Sequence, residues 1–495
     1  MGEDVTGTAY TREQRQRYRE KVQQDLDVFE RMLATSVFEF ERPMTGMEIE
    51  LNLVDTDYQP TMTNAAVLES IADPGYQTEL GQYNIELNVN PRPLPGDAAL
   101  VLEEDLRTSL NHAESKANET GARLVTVGIL PTLMPDDFHA EWMSANARYA
   151  ALNDAIFIAR GEDLFIDIEG PDGERLAMYS DTIAPESACT SVQLHLQVAP
   201  QDFAPHWNAA QALAGPQIGL GANSPYFFGK RLWAETRIAL FEQATDTRAV
   251  ELKNQGVRPR VFFGERWITS IFDLFEENVR YFPSLLPEVS DEDPVAVLEA
   301  GEAPRLSELR LHNGTVYRWN RPIYDIVNGR PHLRVENRVL PAGPSIVDTM
   351  ANSAFYYGTL RMLAEEDRPV WTQMSFAAAA DNFRSAAQRG MDARVYWPGY
   401  GEVPIPELVL RHLLPLAHEG LARWGVSAAV RDRFLGVIAD RCRSGVNGSA
   451  WQVAAVERLE AQGLDRVAAL RAMLERYVEG MHSNEPVHTW KLPGG

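Results

Sequence analysis

Cysteine is nearly absent: Cys189 and Cys442 are the two in 495 residues, which excludes a disulfide framework and a cysteine-rich zinc site and fits a reducing cytosol. No run approaches the roughly 18 apolar residues of a membrane-spanning helix. The amino-terminal stretch MGEDVTGTAYTREQRQRYREK has neither an apolar core nor a small-residue cleavage pattern, so it does not read as a signal peptide, and a cytoplasmic protein is expected. Basic residues are in the minority, with 46 Lys plus Arg against 70 Asp plus Glu and a net charge of −24. That balance disfavours nucleic acid and anionic membranes as partners and leaves small molecules. There is no internal repeat, no low-complexity tract, no P-loop and no His-rich zinc cluster. Nothing in the composition sets the oligomeric state.

What the chain does have is four segments that alternate apolar and polar residues with the period of a half-buried strand. Gly46 to Asp55 sets Met47, Ile49, Leu51 and Leu53 against Glu48, Glu50 and Asn52. Residues two apart on a strand share a face with Cα atoms roughly 6.5 Å apart, so Glu48 and Glu50 can reach one ion or two neighbouring ones. Asn84 to Asn90 carries Glu86 in the middle of its polar face, and Ser191 to Val198 lines up Ser191, Gln193, His195 and Gln197. His332 to Val339 sets Arg334, Glu336 and Arg338 against Leu333, Val335 and Val339.

A strand face that merely meets water usually carries Thr and Lys. These four hold no Lys and collect Glu, His, Gln, Asn and Arg, and Asn on strands goes against propensity. On one shared sheet they would bring Glu48, Glu50, Glu86, His195 and Glu336 together. Carboxylates with one imidazole suit Mg²⁺ or Mn²⁺, and Arg338 beside Glu336 suits a phosphate held by the same ion, which describes a nucleotide site without a P-loop.

The rest of the chain reads as helix and strand in alternation, an α+β protein. Helical spacing runs from an N-cap at Thr11 to about Ala34, over 64–72, and from an Asp97 cap to about Thr120. The Glu86 strand is expected to stop at Pro91 and Pro93. Arg123 to Ile129 reads as a buried strand and 134–153 as mostly helical, and Pro171-Asp172-Gly173 turns a hairpin between strands at 164–168 and 176–179. A helix over 203–215 leads into a glycine-containing loop, Gly219-Leu220-Gly221-Ala222-Asn223-Ser224-Pro225. The basic residues Lys230, Arg231 and Arg237 after it either hold phosphate or a carboxylate or face solvent.

Pro287 to Pro304 is acidic, proline-containing and aperiodic, a surface loop and a candidate lid. Asn328-Gly329 marks a hairpin that delivers Glu336 and Arg338. From Ser345 onward the pattern is helical throughout. Three parts are therefore expected: an N-terminal helix within 1–45, a catalytic α+β core over 46–345 and a helical part over 346–495 packed on the same core. Cys189 reads as a small buried hydrophobe. Ser444 to Gly448, followed by Trp451 and Gln452, reads as an interhelical turn.

Gly-x-Glu-x-Glu at 46–50, Asn-x-Glu at 84–86, Gln-x-His at 193–195, Ala-Asn-Ser-Pro at 222–225 and Glu-x-Arg at 336–338 follow one another over about 46–360. In these motifs and their order the chain resembles the glutamate–cysteine ligase type 2 family. The resemblance implies a glutamine-synthetase-like fold, in which a curved antiparallel sheet holds ATP and divalent metals on its concave face and helices pack on the outer one. It implies an ATP-dependent ligase that activates a carboxylate as an acyl phosphate for attack by an amine. Glutamate and cysteine are the family's best-known pair, giving γ-glutamylcysteine on the way to glutathione.

Position by position, Glu48, Glu50, Glu86, His195 and Glu336 match the metal ligands, and Arg338 matches the arginine that contacts the transferred phosphate. Asn223, Ser224 and Arg237 match the loop associated with the amino-acid substrate. Arg338, Glu50 and Glu336 form the expected catalytic set, and Gln193, Arg334 and Lys230 are expected to join Arg338 on the nucleotide. The family has Ser where this chain has Glu235, two residues before Arg237. A carboxylate there repels an anionic substrate unless it pairs with Lys230, Arg231 or Arg237. The same chemistry on another acid and amine, a guanidino or carboxylate kinase on a similar sheet, and a nucleotide-binding regulator without ligase activity are the competing readings.

Overall fold

The computed structural model describes residues 10–35, 38–41, 43–135 and 139–494. Residues 1–9 of the amino-terminal stretch, and 136–138 of the segment expected to be mostly helical, lie outside the described residues. Seven strands build the central sheet: β1 (Met44–Val54), β2 (Tyr76–Thr78), β3 (Asn84–Pro93), β4 (Arg123–Val125), β5 (Val192–Val198), β6 (Asn320–Val327) and β7 (Arg330–Asn337). They are antiparallel in the order β6-β7-β5-β1-β3-β2, with β4 paired to the end of β1.

The register stacks the polar positions. Glu50 faces Glu86, Glu48 faces Asn88 on one side and Gln193 on the other, and His195 faces Glu336, which in turn faces Arg321. On the other face Ile49, Leu51, Ile85, Leu194, Leu196, Leu333 and Val335 are buried. Each such side chain contributes about 1.5–3 kcal/mol, and a slip of one residue would turn the whole set to the wrong face, so the register is strongly specified.

Four helices frame this sheet: α1 (Arg12–Thr35), α2 (Ala98–Glu119), α3 (Phe203–Gly221) and α4 (Ile346–Ala364). The last two pack on its apolar side. Helix α1 opens on a reciprocal cap, in which Thr11 Oγ1 accepts from Gln14 N at 3.2 Å and Gln14 Oε1 accepts from Thr11 N at 2.8 Å. It buries Tyr18, Val22, Leu26, Phe29 and Met32 against the helices Ile271–Tyr281 and Ser307–Asn313, with the Phe29 and Phe275 rings 4.9 Å apart. No helix among the described residues is long and apolar enough to cross a membrane.

Several expectations are corrected. Helix α3 does not stop at Gly215 but runs through Pro216, Gly219 and Gly221. The glycines serve close approach: a Cβ would stand 2.5 Å from Ile405 Cδ1 at Gly219 and 2.7 Å from Leu340 Cδ2 at Gly221. Strand β3 continues through Pro91 to Pro93, which pairs with Met44 at the sheet's end past an irregularity at Gly46. Asp97 does not cap α2; its Oδ1 accepts instead from Ser427 Oγ at 2.5 Å. Strand pairing covers Arg123 to Val125 of the stretch expected to reach Ile129, and beyond it Asn52 Nδ2 holds the Val127 carbonyl at 3.2 Å. In the 134–153 stretch the helix starts at Ala147.

The candidate lid over 287–304 contains the helix Pro294–Glu299 and packs on α1, where Lys21 Nζ donates to the Glu292 carbonyl. The chain after Ser345 is not wholly helical. Arg394–Trp397 and Gly401–Pro404 form a hairpin with Val395, Trp397 and Val403 inward and Gly399 and Gly401 at φ of 80° and 68° in the turn.

Candidate active site

Two trios of side chains converge on the concave face: Glu48, His195 and Glu336, and Glu50, Glu79 and Glu86, each offering ligand atoms within 4.8 Å of one another. Glu79 is absent from the sequence reading. Its signal was the continuation of β2, since Gln77 faces Glu86 and the residue two further on returns to the same face.

The first trio has unspent donors. His195 Nε2 stands 3.0 Å from Glu48 Oε1, and His195 Nε2 and Glu48 Oε2 are buried without hydrogen-bond geometry to any partner among the described residues. Adjacent ligands on an octahedral ion with bonds of about 2.1 Å stand roughly 3 Å apart, so this donor set fits a divalent cation. Arg334 Nε donates to His195 Nδ1 at 3.2 Å and its NH1 to Asp325 Oδ2 at 3.1 Å. A neutral His195 therefore carries its proton on Nε2. Burial opposes ionisation of Glu336, but Arg321 and then Arg338 hold its carboxyl down at about 2.

The second trio lacks such compensation. Burial, then Glu48, pushes Glu86 up to about 7. Burial, then Glu86 and Glu50, carries Glu79 well above the usual range, and burial outweighs Arg338 at Glu50. Glu186, in the short turn of helix Ala184–Ala188, is raised to about 7 by burial and by Glu50. A divalent ion among these carboxyls reverses the balance, so this set also fits a metal.

Glu50 is tied into the sheet as well, accepting from Ser191 N at 2.5 Å, Ser191 Oγ at 3.1 Å and Gln193 Nε2 at 3.0 Å. Arg338 lies between the trios, its NH1 3.0 Å from Gln193 Oε1 and 3.4 Å from Glu336 Oε1. Arg338 lines one of two cavities on this face. One, of about 120 Å³, is lined by Glu50, Glu79, Glu86, Glu186, Arg148, Tyr149, Gln193, Tyr317, Arg321 and Arg338. The other is a wider cleft of about 840 Å³ lined by Glu48, Asn88, Asn90, His195, Gln197, Asp325, Arg330, His332 and Arg334.

Asn223, Ser224 and Arg237 line neither cavity. Asn223 and Ser224 are fully buried, and Asn223 Nδ2 donates to the Ala342 carbonyl at 2.7 Å and to Tyr477 Oη at 2.8 Å. Glu235 pairs with Arg237, with Nε to Oε1 at 3.0 Å, and its other oxygen accepts from Asn223 N at 2.8 Å. Arg237 in turn donates to the Arg338 carbonyl at 3.3 Å and to the Val339 carbonyl. This loop therefore supports the backbone that carries Arg338. The turn at 444–448 backs it: Asn447 Nδ2 holds the Gly219 carbonyl and Gln452 Nε2 the Asn223 side chain, at 2.9 and 2.8 Å.

Lys230 is not brought to the site. It is exposed on a two-residue strand, and its neighbour Arg231 pairs with Glu457. Cys189 is half-buried with its thiol pushed well up by burial and then by Glu186, the state of an unreactive side chain.

Among solved structures, the chain is similar to a glutamate–cysteine ligase from Francisella tularensis in complex with AMP, at TM-score 0.55 and 12% identity over 92% of this chain and 91% of that one. It is also similar to a bifunctional glutathione synthetase from Pasteurella multocida, at TM-score 0.53 and 11% identity over 92% of this chain and 54% of that one. At such identities the likeness is one of fold, a helix-backed curled antiparallel sheet. No curated protein sequence matches the chain. A sequence model described as glutamate-cysteine ligase family 2 matches residues 44–462, which include both trios and Arg338. The chain belongs to that family, whose members are carboxylate–amine ligases.

Proposed function

We propose that the protein is an ATP-dependent carboxylate–amine ligase acting through an acyl phosphate, with glutamate as donor and cysteine as acceptor. The observation that carries this reading is the adjacency of the two trios on either side of Arg338, with a cavity beyond each. Mg²⁺ or Mn²⁺ held by Glu48, His195, Glu336, Glu50, Glu79 and Glu86 would supply charge neutralisation to the β- and γ-phosphates. The wider cleft, with Arg334 on its wall, suits the nucleotide; the AMP in the Francisella tularensis structure supports nucleotide binding on this fold. The smaller cavity, with Arg148, Arg321 and Arg338, suits an anionic donor.

In this reading a donor carboxylate oxygen attacks the γ-phosphorus, the bond from that phosphorus to the β–γ bridging oxygen breaks, and ADP leaves. Arg338, gripped by Gln193 and Glu336 and pinned through its carbonyl by Arg237, neutralises charge on the phosphoryl oxygens. The amine then attacks the acyl carbon, inorganic phosphate departs with one donor oxygen, and the ammonium proton passes to a base. Glu186, with its carboxyl at about 7, has the affinity for that role.

The test is ADP and phosphate release from ATP and Mg²⁺ with glutamate, adding each amino acid and small amine in turn. Release that requires cysteine and yields γ-glutamylcysteine supports the full reading. Release that requires another amine or acid keeps the chemistry and moves the substrate. ADP formation without any amine, with a stable phosphorylated acid as product, identifies a kinase, and no release with any pair favours a regulator.

A further inference from the structure

Arg321 belongs to two places at once. Across the β6–β7 hairpin it grips Glu336 with both arms of its guanidinium, Nε to Oε2 and NH2 to Oε1 at 2.9 Å. The same side chain lines the smaller cavity. Glu336 is 1% exposed and already takes a contact from Arg338 at 3.4 Å. A carboxylate held bidentate by one guanidinium and touched by a second has little basicity left for a cation. An ion bound with Glu48 and His195 therefore competes with Arg321 for the Glu336 oxygens. His195 shows the same opposition, since Arg334 occupies the edge of the ring that must carry the proton when Nε2 is a ligand.

The cavity explains where the displaced guanidinium goes. Its wall carries four glutamates, Glu50, Glu79, Glu86 and Glu186, and three arginines, Arg148, Arg321 and Arg338, of which Arg338 touches Glu336 with one arm and Arg321 holds it with two. An anionic donor entering before the metal finds the Arg321 fork already occupied by Glu336. One entering after it meets a free planar fork that matches a carboxylate.

We propose that Arg321 is an exchangeable counter-ion, which holds Glu336 until a divalent metal displaces it and then binds the carboxylate donor, so that metal and donor bind with positive coupling. This rests on the reading of the concave face as a ligase site. By reciprocity the donor tightens the metal by the same factor as the metal tightens the donor.

The test is titration of the full-length protein with Mn²⁺, followed by the electron-spin signal of the free ion, with and without glutamate and with no ATP. For the natural sequence, glutamate should tighten Mn²⁺ about tenfold. Arg321→Gln should bind Mn²⁺ at least as tightly as the natural protein when glutamate is absent, and glutamate should no longer change it. Arg321→Lys, which keeps the charge but not the fork, should retain part of the coupling, and it decides the matter if Arg321→Gln does not fold. Weaker Mn²⁺ binding in the variants with the glutamate effect intact would overturn the proposal and leave Arg321 as a clamp that orients Glu336. No Mn²⁺ binding by the natural sequence would overturn the metal-site reading itself.

Discussion

Glu50 and Glu86 stand directly opposite each other across β1 and β3, two carboxyls on one face of the sheet with Glu79 beside them. Like charges in cross-strand register are destabilising, and here burial adds to the cost, which is why Glu86 rises to about 7. A metal ligand must be ionised, so binding has to expel the protons these carboxyls hold near neutrality. Calorimetry of Mn²⁺ binding at pH 6.5 in buffers of different ionisation enthalpy should show release of about one proton or more per protein. Affinity should rise with pH up to somewhat above 7. Heats that do not depend on the buffer would contradict the assignment.

Glu79→Gln removes one ionisable ligand at nearly constant shape and should weaken Mn²⁺ binding at least tenfold while leaving the melting temperature near that of the natural protein. Glu50→Ala is a poorer probe. It orphans the buried Ser191 N–H that Glu50 accepts and should itself cost about 1–3 kcal/mol. Denaturant unfolding of both variants beside Mn²⁺ titration separates the two effects.

The pair formed by Glu235 and Arg237 is buried, at 0% and 3% side-chain exposure. Glu235→Ala leaves an uncompensated guanidinium and should destabilise by about 3–5 kcal/mol, whereas the exposed Lys230→Ala should fall within about 0.5 kcal/mol of the natural protein. Urea unfolding compares them, and a Glu235→Ala protein of unchanged stability would contradict the supporting role of this loop.

A pH effect is expected at the N-terminal helix. Asp25 is 1% exposed, and burial, then Glu308, raises its carboxyl to about 7, while its Oδ2 accepts from Leu309 N at 3.1 Å. The unfolded chain gives up this proton near pH 4 and the folded chain near pH 7. The folded state thus binds more protons in between, and stability falls as pH rises through that window. Asp25→Asn keeps an acceptor for Leu309 and should be more stable than the natural protein at pH 8, on the order of 2–4 kcal/mol, with the difference shrinking towards pH 4. Melting curves across this range check it.

The sheet and its polar face were legible because strand periodicity is local: Glu48, Glu50, Glu86, His195, Glu336 and Arg338 each announced their face within a few residues and came together when the strands paired. Glu79 was not, because it lies just past a strand of three residues, too short to show a period. The glycines of α3 were misread as a loop because their reason lies in Ile405 and Leu340, distant in sequence. The same holds for Asn223 and Arg237. Their partners Tyr477, Ala342 and Val339 make them supports of the site, and no local pattern carries that information.

The most direct test of the proposed chemistry is the fate of a labelled carboxylate. With ATP, Mg²⁺, glutamate carrying ¹⁸O in its side-chain carboxyl, and the amine that supports turnover, one ¹⁸O should appear in the inorganic phosphate released, read by the ³¹P isotope shift. Phosphate free of label, or label recovered in AMP, would contradict an acyl phosphate formed on this face.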